Sequence, residues 1–416
     1  MSLRAHGAPR PLDAVLQAPP SKSVTHRALL AAALASGTST LVDPLEADDT
    51  SVTREGLAGL GITVRTAPRR WVIEGRSGNL PGGARIALKE SGTSMRFLLA
   101  AAALGRARSE LDGGERLRQR PVAELVVALT ALGGQVVGSS LPLLAGGGVR
   151  GGTVRLSGAR SSQFASALLL VGARLPEGID LTLEPPVVSL PYVLLTVQVL
   201  EAFGVTIDRR APLRWSIAPQ DYAAREYVVE GDHSSASYLL AAAAIVGGRV
   251  RVEGLNPASA QSDAVLPSIL AGLGCRVDQG ADWIEVHGTG ELPPFELDLA
   301  DCPDLAPTLA VVGLFANGPV VLRRLAHLRI KESDRLESLA VNLRALGRPA
   351  RVVDDRLEIG APQGSLKPAT IATAADHRMA MAFAVAGLRL QGIVLDDREC
   401  VAKSYPGFWH ELRRLG

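Results

Sequence analysis

Along this chain, Ala- and Leu-rich runs with no polar interruption alternate with shorter segments in which apolar and polar residues take turns. Ala28 to Ala35 and Tyr238 to Val246 read as helices buried on every side, and Arg249 to Val252 as a strand with one buried face. The pattern recurs. Helical segments end in a Leu-x-x-Leu-Gly turn followed by a short β-branched run, with closing glycines at Gly61, Gly133, Gly204, Gly274, Gly347 and Gly416, separated by 72, 71, 70, 73 and 69 residues. Each copy also holds an earlier helix with a polar start: Ser21-Lys-Ser, Glu90-Ser-Gly-Thr, Arg160-Ser-Ser-Gln, Glu230-Gly-Asp-His-Ser-Ser, Asp301-Cys-Pro-Asp and Ala375-Asp-His-Arg. The spacing predicts six copies of one mixed α/β unit, each running cap, helix, glycine turn, strand, charged loop, second helix, glycine, second strand.

Gly416 ends the chain, so the sixth copy lacks the strand that should follow it, while Leu12 to Ala18 is a spare segment ahead of the first cap. The two ends are expected to complete each other. Six copies then divide into two domains of three: residues 18–228, and residues 1–17 with 229–416. The chain would cross twice, near Gln17 to Ser21 and Tyr227 to Gly231, forming a hinge.

Composition narrows the function. With 44 basic and 42 acidic residues, the net charge is only +2, too little for a global field that holds nucleic acid or an anionic membrane. The apolar runs fall short of the ~18 residues that a membrane span needs. Met1 to Gln17 has neither a continuous apolar stretch nor a Ser- and Arg-rich presequence, so a cytoplasmic address is expected. Cys275, Cys302 and Cys400 fit neither a disulfide framework nor a zinc pattern, and the seven histidines show no helical metal spacing. No metal and no cofactor are expected. Only five basic residues are lysine, namely Lys22, Lys89, Lys331, Lys367 and Lys403. Where arginine is this strongly preferred, a retained lysine points to a site that needs a compact ammonium or an exchangeable proton.

Helix N-termini rich in Ser, Thr, Gly and Asp offer backbone N–H groups and a positive dipole end, which suits anions. Cations stand beside them: Lys22 and Arg27, Arg96, Arg160 and Arg378, with Arg120, Lys331, Arg335 and Lys403 from loops. A cation there opposes the dipole, so an anion is expected between them, and until one binds the cations should repel one another.

Eight segments occur in order: Ala18-Pro-Pro-Ser-Lys-Ser-Val-Thr-His-Arg-Ala, Glu90-Ser-Gly-Thr-Ser-Met-Arg, Arg116-Leu-Arg-Gln-Arg-Pro, Ser161-Ser-Gln-Phe, Ser189-Leu-Pro-Tyr, Glu230-Gly-Asp-His-Ser-Ser-Ala-Ser-Tyr, Arg329-Ile-Lys-Glu-Ser-Asp-Arg-Leu and Asp376-His-Arg-Met-Ala-Met. Together they resemble the motifs of the 5-enolpyruvylshikimate-3-phosphate synthase family from about residue 18 to Lys403. The resemblance implies an α/β fold of two domains, each of three βαβαββ units, the pseudo-sixfold, inside-out α/β barrel of enolpyruvyl transferases. It implies transfer of the enolpyruvyl group of phosphoenolpyruvate to the 5-hydroxyl of shikimate 3-phosphate, with release of phosphate, on the route to chorismate and the aromatic amino acids. The family is the target of glyphosate.

Carried over residue by residue, the resemblance assigns shikimate 3-phosphate to Lys22, Ser23, Arg27, Ser161, Ser162, Gln163, Ser189 and Lys331, with Asp304 on the reacting hydroxyl. Phosphoenolpyruvate falls to Lys22, Gly92, Arg120, Gln163, Arg335, Arg378 and Lys403. Asp304 is the expected base, and Glu332 the expected proton donor, with Lys22 and Lys403 as rival acids. The partners are small molecules, with no nucleic acid and no membrane, and the chain is expected to act as a monomer. Two departures stand out: Glu90 replaces an Asn before the Ser-Gly-Thr tripeptide, and His327 replaces another Asn near the sugar phosphate. Two other readings were an enolpyruvyl transferase for a uridine-diphosphate sugar and a non-enzymatic pseudo-sixfold scaffold. The first expects Lys-Asn at the first cap and often a Cys in the Asp112 to Arg120 loop, where this chain has Lys22-Ser23 and no Cys. The second expects similar chemistry in every copy, whereas the caps differ.

Overall fold

The computed structural model describes Pro11–Leu415, so residues 1–10 of the expected C-terminal domain and the closing Gly416 lie outside the described residues. The chain forms two compact units. A continuous unit runs from Pro20 to Glu230, and a split unit joins the segment up to Pro19 with the chain from Gly231 onward.

Each unit is built from pairs of helices. In the continuous unit these are α1 (Lys22–Leu34) with α2 (Asp48–Gly59), α3 (Gly92–Ala103) with α4 (Ala123–Ala131), and α5 (Ser162–Gly172) with α6 (Leu190–Ala202). In the split unit they are α7 (His233–Val246) with α8 (Leu266–Gly272), α9 (Ala306–Leu314) with α10 (Arg335–Ala345), and α11 (His377–Arg389) with α12 (Phe408–Arg413). Beyond its polar first turns, the first helix of each pair is Ala- and Leu-rich and forms the core: every residue of α1 from Val24 to Leu34 is buried, as is every residue of α7 from His233 to Ile245. The sheets bury one face. Leu12–Gln17 alternates strictly between buried and exposed positions, as the two-residue period of a strand demands.

A complete repeat has the strand logic of the third. Gly152–Ser157 runs parallel to Ile179–Glu184, which pairs antiparallel with Arg214–Ile217, itself antiparallel to Asp208–Ala211. A parallel pair needs a helical crossover and an antiparallel pair only a hairpin, so the order strand, helix, strand, helix, hairpin follows. Two repeats borrow their first strand. Tyr222–Ala223 and Glu226–Val228, late in the continuous unit, lie parallel to Ala35–Val42 of its first repeat. Leu12–Gln17 lies parallel to Gly248–Glu253 of the fourth repeat, not in the sixth, where among the described residues Thr370–Ile371 pairs with Val394–Leu395. The reason is positional. The Asp232 N–H, at the entry to α7, donates to Pro19 O at 2.8 Å, so Leu12–Gln17 takes the place of the strand that should lead into α7.

The closing glycines follow the second helices directly. Gly61, Gly133, Gly204, Gly274 and Gly347 have φ of +95°, +93°, +82°, +94° and +89°, the left-handed conformation that ends a helix and that glycine adopts without steric cost.

Candidate active site

Five of the six core helices start with a side-chain cap. Ser21 accepts from the Val24 N–H, Ser91 from Ser94, Ser161 from Gln163, Asp232 from Ser235 and Asp376 from Arg378. The fifth repeat is different: Pro303–Leu305 forms a single tight turn ahead of α9, and its carboxylate, Asp304, faces two arginines.

In the continuous unit, Arg27 is 2% exposed. Its Nε donates to Thr196 Oγ1 at 2.7 Å, Nη1 to Ser23 O at 2.9 Å and Nη2 to Tyr192 O at 3.0 Å. The guanidinium lies 5.4 Å from the Phe97 ring, and no carboxylate of the described residues pairs with it. Burial pulls its pKa down to about 10, which still leaves it charged. A buried charge with only neutral partners is costly, and an anionic ligand would offset that cost. Lys22 meets Asp49 Oδ2 at 3.0 Å.

Around α3 the packing is tight. The Arg120 guanidinium rests so close to the Gly92 Cα that a Cβ there would lie 2.5 Å from its central carbon. Arg96, 2% exposed, donates from Nη1 to Gly92 O at 2.9 Å and to Gln163 Oε1 at 3.1 Å, and from Nη2 to Pro121 O at 2.6 Å. Gln163 Nε2 in turn donates to Thr93 Oγ1 at 3.1 Å. One guanidinium thus ties together Gly92, Gln163 and the residue after Arg120. A chain of short contacts, His26 to Thr53 at 2.7 Å and Thr53 to Ser94 at 2.8 Å, links α1, α2 and α3. Ser162 is buried on the first turn of α5, Ser161 caps it, and Ser189 is buried before α6 with φ +56°. A serine held in that region is strained, as functional residues often are. Glu90 is exposed and rests against Gly114.

In the split unit, Asp304 Oδ1 accepts from Arg335 Nη1 at 3.0 Å and Oδ2 from Arg378 Nη2 at 2.8 Å. Arg335 also donates from Nε to Asp376 Oδ2 at 2.7 Å and from Nη2 to Glu332 Oε2 at 2.8 Å, and Glu332 Oε1 lies 3.5 Å from Lys403 Nζ. Burial pushes the Asp304 carboxyl up, but Arg378, Lys331 and Arg335 outweigh it and hold the group well below the ordinary carboxylate range. For Arg335, burial pulls down while Asp376, Glu332 and Asp304 win and hold the proton more tightly. His327 is buried, and burial with Lys331 nearby lowers it to about 3, so its ring is neutral.

Among the expected residues, Asp304, Glu332, Arg335, Arg378 and Lys403 form one connected set, and Lys331 is near enough to shift the first of them. Lys22, Ser23, Arg27, Gly92, Arg120, Ser161, Ser162, Gln163 and Ser189 belong to the continuous unit. The expected mutual repulsion of the cations is much reduced, because Lys22, Arg335, Arg378 and Lys403 each have a carboxylate of their own unit. Asp49, Arg96, Tyr192, Thr196 and Asp376 also hold these groups, beyond the residues that the resemblance assigns to substrate. Arg96 and Asp376 had a local signal, beside or at a cap; the other three did not. A single grouping of acidic and imidazole ligand atoms occurs among the described residues, Asp278, Glu285 and His287. Its Glu285 already accepts from Arg249 and Arg251.

The sequence matches the family model for EPSP synthase (3-phosphoshikimate 1-carboxyvinyltransferase) over residues 7–412. It is 41% identical over 409 residues to the 3-phosphoshikimate 1-carboxyvinyltransferase of Methanoculleus marisnigri, covering 97% of this chain and 96% of that one. Identity to the enzyme of that name from Syntrophobacter fumaroxidans is 43% over 413 residues, 97% of each. The solved EPSP synthase of Acinetobacter baumannii superposes with a TM-score of 0.81 at 27% identity, covering 98% of this chain and 97% of that structure.

Proposed function

The chain belongs to the EPSP synthase family, and from that premise we propose how its residues divide the work. The enzyme transfers the enolpyruvyl group of phosphoenolpyruvate to the 5-hydroxyl of shikimate 3-phosphate and releases phosphate. The methylene carbon of phosphoenolpyruvate takes up a proton while the hydroxyl oxygen attacks the neighbouring carbon. The tetrahedral adduct then loses phosphate and a methyl proton. A base and an acid are both needed.

The observation that carries the assignment is the connected set in the split unit: a buried carboxylate, Asp304, held by Arg335 and Arg378, with a second carboxylate, Glu332, between Arg335 and Lys403. Asp304 takes the hydroxyl proton. Glu332 supplies the proton to the methylene and recovers one at elimination, with Lys403 and Lys22 as the alternative donors. When a substrate carboxylate or phosphate engages Arg335 and Arg378, their grip on Asp304 weakens and its pKa rises toward the ordinary range, so substrate binding itself turns on the base. Lys22, Ser23, Arg27, Ser161, Ser162, Gln163, Ser189 and Lys331 hold shikimate 3-phosphate, with Asp304 on its reacting hydroxyl. Lys22, Gly92, Arg120, Gln163, Arg335, Arg378 and Lys403 hold phosphoenolpyruvate, the arginines gripping oxyanions in pairs of hydrogen bonds.

The protein works as a monomer in the cytoplasm on these small molecules, without nucleic acid. All the assigned residues come from one chain, and its three thiols are unpaired, which suits a reducing compartment. No helix among the described residues is long and apolar enough to cross a membrane. A phosphate-release assay tests the reading: release should require both substrates together, and release from phosphoenolpyruvate alone or with a uridine-diphosphate sugar would refute it.

A further inference from the structure

Helices α9, α10 and α11 begin beside Asp304, Arg335 and Arg378, and their far ends meet at a cavity of about 340 Å³, within the size range of small-molecule pockets. The cavity lies wholly in the split unit. Phe315, Leu366 and Leu390 give it apolar walls, and Arg348, Arg389 and Gln363 supply polar groups.

The two arginines are unlike most others in the chain. Arg348 is 2% exposed; its Nη2 donates to Gly318 O at 2.7 Å, and its Nε is buried without an acceptor. Arg389 donates from Nη1 to Ile245 O at 2.8 Å and to Gly290 O at 2.6 Å, and its guanidinium lies 5.0 Å from the Phe315 ring. Neither has a carboxylate within ion-pair distance among the described residues. Burial lowers the pKa of both, as expected of cations without a counter-charge. The lining segments 314–317, 347–348, 362–366 and 389–390 contain no Asp or Glu, and Lys367, a lysine that the reaction does not use, follows directly. Backbone carbonyls account for one Nη of each guanidinium. They are dipoles, and they leave the net charge and the buried Nε unanswered.

We infer that this cavity is a second ligand site, for a small organic anion whose carboxylate meets Arg348 and Arg389 while its apolar body packs on Phe315, Leu366 and Leu390. It is distinct from the reaction site, because Arg378 and Arg389 are separated along α11 by roughly 16 Å at helical rise.

The test is ligand-observed fluorine NMR of the full-length protein with 4-fluorobenzoate, in the presence of saturating shikimate 3-phosphate and glyphosate, which together keep the probe off both parts of the reaction site. Saturable binding is expected, at least tenfold weaker in Arg389→Met and in Arg348→Met, and at least tenfold weaker for the neutral 4-fluorobenzyl alcohol. If Arg348→Met does not fold, Gln363→Trp, on an exposed loop at the cavity mouth, should block the probe equally. Absence of binding, displacement by shikimate 3-phosphate, undiminished binding in the variants, or equal affinity for the alcohol would overturn the assignment.

Discussion

Asp304 is bound to Arg335 and Arg378 at 3.0 and 2.8 Å, and in its proposed role as the base its strength would depend on which anion those arginines hold. Asp304→Asn keeps the shape and loses the proton acceptor. Turnover should fall by roughly two orders of magnitude or more, the scale of general-base loss, while shikimate 3-phosphate still binds. Steady-state kinetics with a binding titration checks both halves, and full turnover would exclude Asp304. Gly92 makes a different point. A methyl there meets the Arg120 guanidinium within 2.6 Å, so Gly92→Ala acts by pushing Arg120 aside. Overpacking costs ~1 to 3 kcal/mol, and the KM for phosphoenolpyruvate should rise about tenfold. Glyphosate, being longer, should lose more. An equal change in its Ki and in the substrate KM would show that the inhibitor does not fill the space beside Gly92.

At the scale of elements, the ends of helices carry most of the information, and two glycines near the end of α8 separate its components. Gly272 is the last residue of the helix and Gly274, at φ +94°, is the closing glycine; a Cβ at either meets nothing within 4 Å. With sterics removed, only backbone preference remains. Gly272→Ala should stabilise by about 0.5 kcal/mol, through the helix propensity of alanine. Gly274→Ala should destabilise by about 1 to 2 kcal/mol, the cost of a left-handed Cβ. Urea denaturation of the two variants should therefore shift in opposite directions, and a common direction would contradict this account. Such local signals were readable along the chain: Ser21, Ser91, Ser161, Asp232 and Asp376 stood out as caps, and the closing glycines set the repeat. What stayed hidden was long-range. Thr196 and Tyr192 reach Arg27 across 169 and 165 residues, and Asp49 reaches Lys22 across 27, with no periodicity to announce them. The pairing of Leu12–Gln17 with the fourth repeat rather than the sixth is hidden for the same reason, since any repeat lacking a first strand would suit its alternating pattern.

For the molecule as a whole, mild acid should be destabilising through histidines. His26 in the continuous unit and His327 in the split unit are buried, and burial, the largest cause, holds each down to about 3. In the unfolded chain each titrates near 6.5. Because the folded pKa is the lower one, the stability they contribute is fully present above about 6.5 and is lost as the pH falls from there toward 3. Between pH 7 and 5 each should remove roughly 2 kcal/mol. His327→Asn should make the fall in the urea midpoint over that range smaller, and an unaltered fall would show that this ring is not kept neutral.

The pairing of Leu12–Gln17 with Gly248–Glu253 also has a meaning in time. A ribosome delivers the first of these strands and then all of Pro20–Glu230 before the second emerges, a delay of roughly ten to fifty seconds at ordinary synthesis rates. Throughout that interval Leu12, Ala14 and Leu16 have no sheet to join, whereas by its end every described strand of the continuous unit has its partner on the finished stretch of chain. The first of the described strands to be made is thus the one that waits longest for its partner. A bulky N-terminal fusion, or a chaperone that grips the first residues, would act on the maturation of the split unit and leave its neighbour to fold on schedule.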